Sequence, residues 1–273
     1  MTHAFVNTAS EAARKAGDLM LKYRDRTDAI PVERKARGDY VSEIDRACEE
    51  LIRTELKRRY PEHAIVGEEQ GGKVGDAEHV WLVDPIDGTT NYLRGIPHYA
   101  VSIALLVRGR VEHGVILDPV RDELFTASRG DGAMLNNRRI RVSGREQLDG
   151  AIVGTALPFR SRRLLPAYMG MFNAITEKAE DIRRAGAASL DLAYVACGRL
   201  DGYWELALKP WDTAAGALLV QEAGGVVMDI AGGDQWLNSG HILAAPFKLI
   251  TPLRKAIEPH LTEALRARLT GGH

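Results

Sequence analysis

The spacing of apolar positions changes along this chain, and each change marks an element. From Phe5 to Tyr23 the sequence is rich in Ala, with acids early and bases throughout, which predicts a helix packed on a surface. A second helix is predicted from near Ser42. Its Ile44, Cys48, Leu51, Ile52 and Leu56 repeat at the i, i+4, i+7, i+8 spacing of one buried face, and Tyr60-Pro61 stops it. Ala64–Gly67 and Val80–Val83 are short continuous apolar runs and read as buried strands. Tyr99–Val107, Val111–Leu117, Glu123–Ala127 and Gly132–Leu135 follow, separated by the turn pairs Arg108-Gly109, Asp118-Pro119 and Arg129-Gly130. This pattern predicts an antiparallel meander.

After about Gly150 helices and strands alternate. Ala151–Thr155 reads as a strand, Leu164–Lys178 as a helix, Leu190–Cys197 as a helix stopped by Gly198, and Leu200–Leu206 as a strand. A helical run from Ala214 to Ala223 precedes strands at Gly225–Asp229 and His241–Ala245, and a last helix is predicted over Ile257–Leu269, before a frayed Gly271-Gly272 tail. The expected class is mixed α+β and α/β. No linker rich in Pro, Gly or Ser divides the chain, so residues 1–273 are expected to form a single domain whose two lobes, approximately 1–150 and 151–273, share a cleft.

The 273 residues, 45% of them hydrophobic, suffice for a substantial core. A formal net charge of −1 gives no overall pull toward nucleic acid or anionic lipid, so a small partner is expected. Cys48 and Cys197 both fall in helix-like segments and read as packing thiols, not as a disulfide or thiolate metal site. The start Met1-Thr2-His3-Ala4 has no basic region followed by an apolar run, and no stretch reaches the roughly 18 apolar residues of a membrane span. A cytoplasmic, membrane-free protein is expected.

Candidate chemistry concentrates in Asp84-Pro85-Ile86-Asp87-Gly88-Thr89-Thr90, which sets two carboxylates three residues apart around a rigid turn, after a strand and before a helix that Thr89 or Thr90 can cap. Asp-Gly alone is ordinary turn chemistry. Two further segments sharpen the reading: Glu68-Glu69 at the end of one strand, and Asp212 in Trp211-Asp212-Thr213 at a helix start. Acids delivered from three element ends look convergent. An all-oxygen ligand set favours Mg²⁺, or Mn²⁺, over zinc. Pro85 fixes φ, Gly88 permits close backbone approach, and the N–H groups around Gly88, Thr89 and Thr90 can bind phosphate oxygens.

Trp81-Leu82-Val83-Asp84-Pro85-Ile86-Asp87-Gly88-Thr89-Thr90-Asn91, together with Trp211-Asp212-Thr213-Ala214-Ala215-Gly216 running on to Glu222-Ala223-Gly224-Gly225, resembles the inositol monophosphatase family of Mg²⁺-dependent, lithium-sensitive phosphatases. Gly67-Glu68-Glu69 and the segment from Gly38 to Asp45 extend the likeness over roughly residues 5 to 267. The resemblance implies a layered αβαβα sandwich of the inositol monophosphatase and fructose-1,6-bisphosphatase type, a homodimer, and two or three Mg²⁺ ions per subunit. It implies metal ligation by Glu68, Asp84, the Ile86 carbonyl, Asp87 and Asp212. Catalytic roles fall to Glu68, Thr89 and Asp45, with Thr89 orienting the attacking water. Substrate contacts fall to Asp87, Gly88, Thr89, Gly186, Ala187, Ala188, Glu205 and Asp212. The Thr89-Thr90-Asn91 sequence is similar to the inositol-phosphate branch. Fructose 1,6-bisphosphate, a nucleotide 3′,5′-bisphosphate and histidinol phosphate are the alternative substrates.

Several residues carry two readings at this stage. Thr89 is either a plain helix cap or the water-orienting hydroxyl; Glu205 either faces solvent or reads sugar hydroxyls; Glu69 either supports the site or faces solvent. Lys35 and Asp39 are expected on a mobile loop, either salt-bridged or beside a third metal near Asp45, and His98 reads as a packing residue. The basic clusters Arg138-Arg139-Ile140-Arg141, Arg160-Ser161-Arg162-Arg163 and Arg183-Arg184 read as solvated faces. A regulatory role through a protein or RNA partner is kept as the alternative from another class.

Overall fold

The computed structural model describes residues 3–24, 32–36, 39–74, 77–262 and 265. Its first half runs α1 (Ala4–Tyr23), β1 (Val32–Ala36), β2 (Asp39–Ser42), α2 (Glu43–Arg59), β3 (Ala64–Gly67), β4 (His79–Asp87), α3 (Thr89–Leu93), β5 (Ala100–Val107), β6 (Arg110–Asp118), β7 (Glu123–Ser128), β8 (Gly132–Leu135) and β9 (Arg138–Arg139). Then come β10 (Ile152–Thr155), α4 (Leu165–Thr176), β11 (Asp181–Arg183), α5 (Ala188–Ala196), β12 (Gly202–Glu205), α6 (Pro210–Glu222), β13 (Gly225–Met228), α7 (Trp236–Ser239), β14 (Ile242–Pro246) and α8 (Phe247–Ile257).

Alternating side chains build the layers. In β4, Trp81 and Val83 point to a core shared with Val6, Ala13 and Met20 of α1 and Ile52 and Leu56 of α2, whereas Val80 and Leu82 point to a core shared with α5 and α6. β4 belongs to a seven-stranded sheet of order β3-β4-β5-β6-β7-β8-β9, in which β3 and β4 are parallel and the rest antiparallel. The predicted meander is its larger part. A five-stranded sheet of order β11-β10-β12-β14-β13 covers the other side of α5 and α6. Tyr203 faces those helices, while Trp204 faces the outer pair α4 and α8. The result is the five-layer αβαβα arrangement. α6 is buried without interruption from Asp212 to Val220, as a helix enclosed by two sheets must be. Gly216 allows the tight α5 contact, since a Cβ there would lie 2.5 Å from the Leu192 Cβ.

Some elements differ from expectation. The helix predicted over Leu164–Lys178 is a 3₁₀ turn at Phe159–Leu164 followed by α4, with Pro166 in its first turn. The last helix predicted over Ile257–Leu269 does not start there: α8 ends at Ile257, and Glu258–His260 is a 3₁₀ turn. The rest of that predicted span, apart from Leu261, Thr262 and Leu265, and the Gly271-Gly272 tail lie outside the described residues. Pro252 inside α8 disguises the helix in the sequence, yet Leu249, Ile250, Leu253, Ala256 and Ile257 give it a buried face. The expected loop around Lys35 and Asp39 is the β1–β2 hairpin. Strand β11 has one apolar residue, and its partner β10 supplies the pairing that its own pattern could not announce.

Candidate active site

The parallel pair β3 and β4 ends at one edge of the seven-stranded sheet, with Glu68 following β3 and Asp84 and Asp87 closing β4. The Glu68 N–H donates to the Val83 carbonyl at 3.1 Å. Pairing of β4 with β5 is interrupted between Asp84 and Asp87, so the strand bulges where the two acids are presented. Asp212 sits in the first turn of α6, where its Oδ2 accepts the Lys209 N–H at 2.8 Å.

Packing of α6 against the sheet brings Asp212 to Glu68 and Asp84, each offering a carboxylate oxygen within 4.8 Å of the others. Asp84 and Asp212 are buried and Glu68 is half-buried. Burial pushes the Asp84 carboxyl well above its ordinary range, and the charges of Glu68, Asp87 and Asp212 push it further. Burial and the Glu68 charge do the same to Asp212. Arg160 approaches Glu68 at 3.5 Å. Buried like charges this close repel unless protons or cations intervene, and the donors are all oxygen. The array therefore fits a hard divalent cation such as Mg²⁺.

Asp87 stands beside the trio with its carboxylate turned to the N-terminus of α5. Oδ1 accepts from Ala188 N at 3.2 Å; Oδ2 accepts from Ser189 N at 2.7 Å and Ser189 Oγ at 2.5 Å. Burial raises its pKa while these bonds oppose the rise. The N-cap of α3 is Gly88, in the left-handed region at φ 95°, not Thr89 or Thr90 as the sequence suggested. A Cβ at Gly88 would press on the His98 and Gly186 carbonyls at 3.1 and 3.3 Å. Thr89 is thereby freed from capping: its hydroxyl lies 3.0 Å from Asp45 Oδ1 and 3.1 Å from the Ile86 carbonyl oxygen. Asp45 is itself fixed by the Ser42 N–H at 2.8 Å and the Ser42 hydroxyl, and burial raises its pKa.

Glu68, Asp84, Ile86, Asp87, Gly88, Thr89 and Asp212 line a cleft of about 450 Å³, to which Asp45 is joined through Thr89. Gly186, Ala188 and Glu205 also line the cleft, whereas Ala187 is buried outside the lining, against Gly88. Glu205 points into the cleft from the end of β12, and burial pushes its carboxyl up to about 7, against the lowering effect of the Tyr203 hydroxyl that donates to it. The sequence reading missed Phe159, Arg160 and Arg184 as cleft residues. Arg160 and Arg184 had been read as parts of solvated clusters, and the Arg184 guanidinium lies 5.3 Å over the Phe159 ring. No local pattern separates these arginines from surface ones.

The remaining candidates sit elsewhere. His98 packs edge-on against Tyr194, with burial lowering its pKa, in keeping with a packing role. Glu69 is half-buried. The side chains of Lys35 and Asp39 lie outside the description. Arg138, Arg139 and Arg141 are exposed.

A layered αβαβα sandwich with an acidic, oxygen-only centre at the ends of β3, β4 and α6 defines the class. The chain belongs to the inositol monophosphatase family, whose model matches residues 1–269. It is 53% identical over 266 residues to the Nus factor SuhB of Pseudomonas aeruginosa, covering 96% of this chain and 98% of that one. Among solved structures it is similar to the extragenic suppressor protein suhB from Bartonella henselae, with TM-score 0.91, 42% identity, and coverage of 94% of this chain and 99% of that one. The inositol monophosphatase from Anabaena (Nostoc) sp. PCC 7120 matches with TM-score 0.83 and 38% identity, covering 93% and 95%. Among the described residues, no helix is long and apolar enough to cross a membrane.

Proposed function

We propose that this protein is a Mg²⁺-dependent phosphoric monoester hydrolase acting on myo-inositol 1-phosphate, releasing inositol and phosphate, as a cytoplasmic homodimer. The observation that carries the reading is the meeting of Glu68, Asp84 and Asp212 within 4.8 Å, in the same cleft as Thr89 and Glu205. Glu68, Asp84, the Ile86 carbonyl, Asp87 and Asp212 are the groups to hold two ions, with Mn²⁺ as a substitute and a third ion near Asp45 as an addition. When bound, such ions neutralise phosphate charge and lower the pKa of a coordinated water.

The chain's own residues do the rest. The Thr89 hydroxyl, anchored to buried Asp45, orients the attacking water toward phosphorus. First-turn N–H groups of α3 have no intrahelical acceptor and belong to residues that line the cleft, and they receive phosphate oxygens. Glu205 accepts hydrogen bonds from the alcohol's hydroxyls, and Gly186 and Ala188 shape the wall beside it. The family membership and the neighbouring inositol monophosphatase support this reading. The test is phosphate release from inositol 1-phosphate, fructose 1,6-bisphosphate, a nucleotide 3′,5′-bisphosphate and histidinol phosphate. Activity is expected to vanish in EDTA, return with Mg²⁺, fall with lithium and be greatest on inositol 1-phosphate. Undiminished hydrolysis in EDTA would remove the metal mechanism, and preference for another ester would replace the substrate.

A second role, in transcription, is favoured by the Nus-factor name of a relative 53% identical to this chain. Its partner would be a regulatory protein or an RNA, with exposed Arg138, Arg139 and Arg141 as the contact charges. Retention on RNA or on cell-extract proteins should then be salt-dependent and persist in Asp84→Asn. Loss of retention in that variant would tie it to the acidic site instead.

A further inference from the structure

Glu49 lies one helical turn beyond Asp45 on α2 and has no solvent exposure. Its carboxylate is directed at the chain just past Glu68: Oε2 accepts the Glu69 N–H at 2.7 Å and Oε1 accepts the Gln70 N–H at 3.0 Å. Arg53 Nε donates to Glu49 Oε1 at 2.8 Å, and the same guanidinium donates to the carbonyls of Ile65, at 3.4 Å, and Gly71. Gly67 and Gly71 exchange N–H···O bonds of 3.0 Å, closing the turn, and Glu68 N is tied to Val83. The backbone is therefore fastened on both sides of Glu68.

Gly67 shows how closely the carboxylate is built in. A Cβ at that position would lie 2.2 Å from Glu49 Oε1. Glycine is needed here for room, not for a left-handed backbone. A buried carboxylate is retained only when its charge is compensated, and Arg53 with two backbone N–H groups provides that compensation.

We propose that Glu49, braced by Arg53, is a positioning residue that sets the divalent-cation affinity of the acidic site by holding the turn that presents Glu68. The inference rests on the reading of that site as a metal centre. Carboxylates gathered before the ion arrives must be held against their mutual repulsion, and any reordering of the turn subtracts from binding. α2 then reaches the site twice, through Asp45 to Thr89 and through Glu49 to the Glu69 and Gln70 N–H groups that follow Glu68.

The test is equilibrium binding of Mn²⁺ to the full chain, followed by electron paramagnetic resonance below the melting temperature of each variant. Glu49→Gln removes the charge, and Gly67→Ala pushes the turn off an intact Glu49. Glu55→Gln is the control, because Glu55, on the same helix as Glu49, pairs with Lys15 of α1 and with Arg58. Glu49→Gln and Gly67→Ala should each bind Mn²⁺ about tenfold more weakly, and Glu55→Gln as wild type does. If Glu49→Gln does not fold, Gly67→Ala decides. Wild-type affinity in the folded variants, or an equal loss in Glu55→Gln, overturns the proposal. Absence of Mn²⁺ binding by the wild type overturns the metal-centre reading as well.

Discussion

Glu205→Gln should stabilise the protein at alkaline pH while impairing it as an enzyme. The Glu205 carboxyl is held at about 7 in the fold against an ordinary 4.5, chiefly by burial. Between those values the folded chain keeps a proton that the unfolded chain has released, so unfolding stability falls as pH rises through the window. At about 1.36 kcal/mol per pKa unit, this difference is worth roughly 3 kcal/mol once both states are ionised. Gln carries no charge at any pH and keeps an oxygen for the Tyr203 hydroxyl. The gain for a chain of this size corresponds to a rise of roughly 6–12 °C in Tm at pH 8, shrinking toward zero at pH 4.5. Thermal melts of wild type and variant in EDTA at the two pH values measure it. A variant that melts at or below wild type at pH 8, or gains equally at pH 4.5, would refute the reasoning. In the same variant kcat/KM for inositol 1-phosphate should fall by about 1–3 kcal/mol of transition-state binding, with hydrolysis of a small aryl phosphate nearly unchanged. Parallel loss on both substrates would place Glu205 in support of the metal site or the fold.

Thr89→Ala should lower kcat much more than it raises KM, because an orienting hydroxyl acts mainly in the transition state; steady-state kinetics with a purely KM effect would rule the role out. Asp87→Asn should be nearly inactive while folding normally, since losing a ligand charge weakens ion binding without creating a cavity and the amide oxygen can still accept at the start of α5. A folded variant with near wild-type kcat would show that Asp87 is structural.

Within the site, legibility tracked the range of the interaction. Asp84, Pro85, Asp87 and Gly88 could be read together because a strand, a fixed φ and a turn are local chemistry. The helix face of α2 was equally plain from its spacing, but the two acids on that helix were not equivalent. Asp45 entered through the family resemblance, while Glu49 looked like one of many helical acids until the turn after Glu68 was seen to close over it. The arginines at the cleft illustrate the converse. Three basic clusters had one appearance in the sequence, and all their arginines are exposed, yet Arg160 lines the cleft and approaches Glu68 while Arg138, Arg139 and Arg141 do not line it.

By itself the sequence determined the meander, the buried strand and turn that offer Asp84 and Asp87, the oxygen-only character of the acidic cluster and, through its motifs, the family. These depend on backbone periodicity, fixed dihedrals and the chemistry of neighbouring residues. Tertiary structure decided which acids meet. Parallel pairing of β3 with β4 sets Glu68 beside Asp84, and enclosure of α6 between two sheets carries Asp212 to them. It also turned Asp87 toward α5 and gave the cap of α3 to Gly88, leaving the Thr89 hydroxyl for Asp45. Such choices are made by burial and by competition for hydrogen-bond donors among segments distant in the chain, and no local pattern encodes the outcome of that competition.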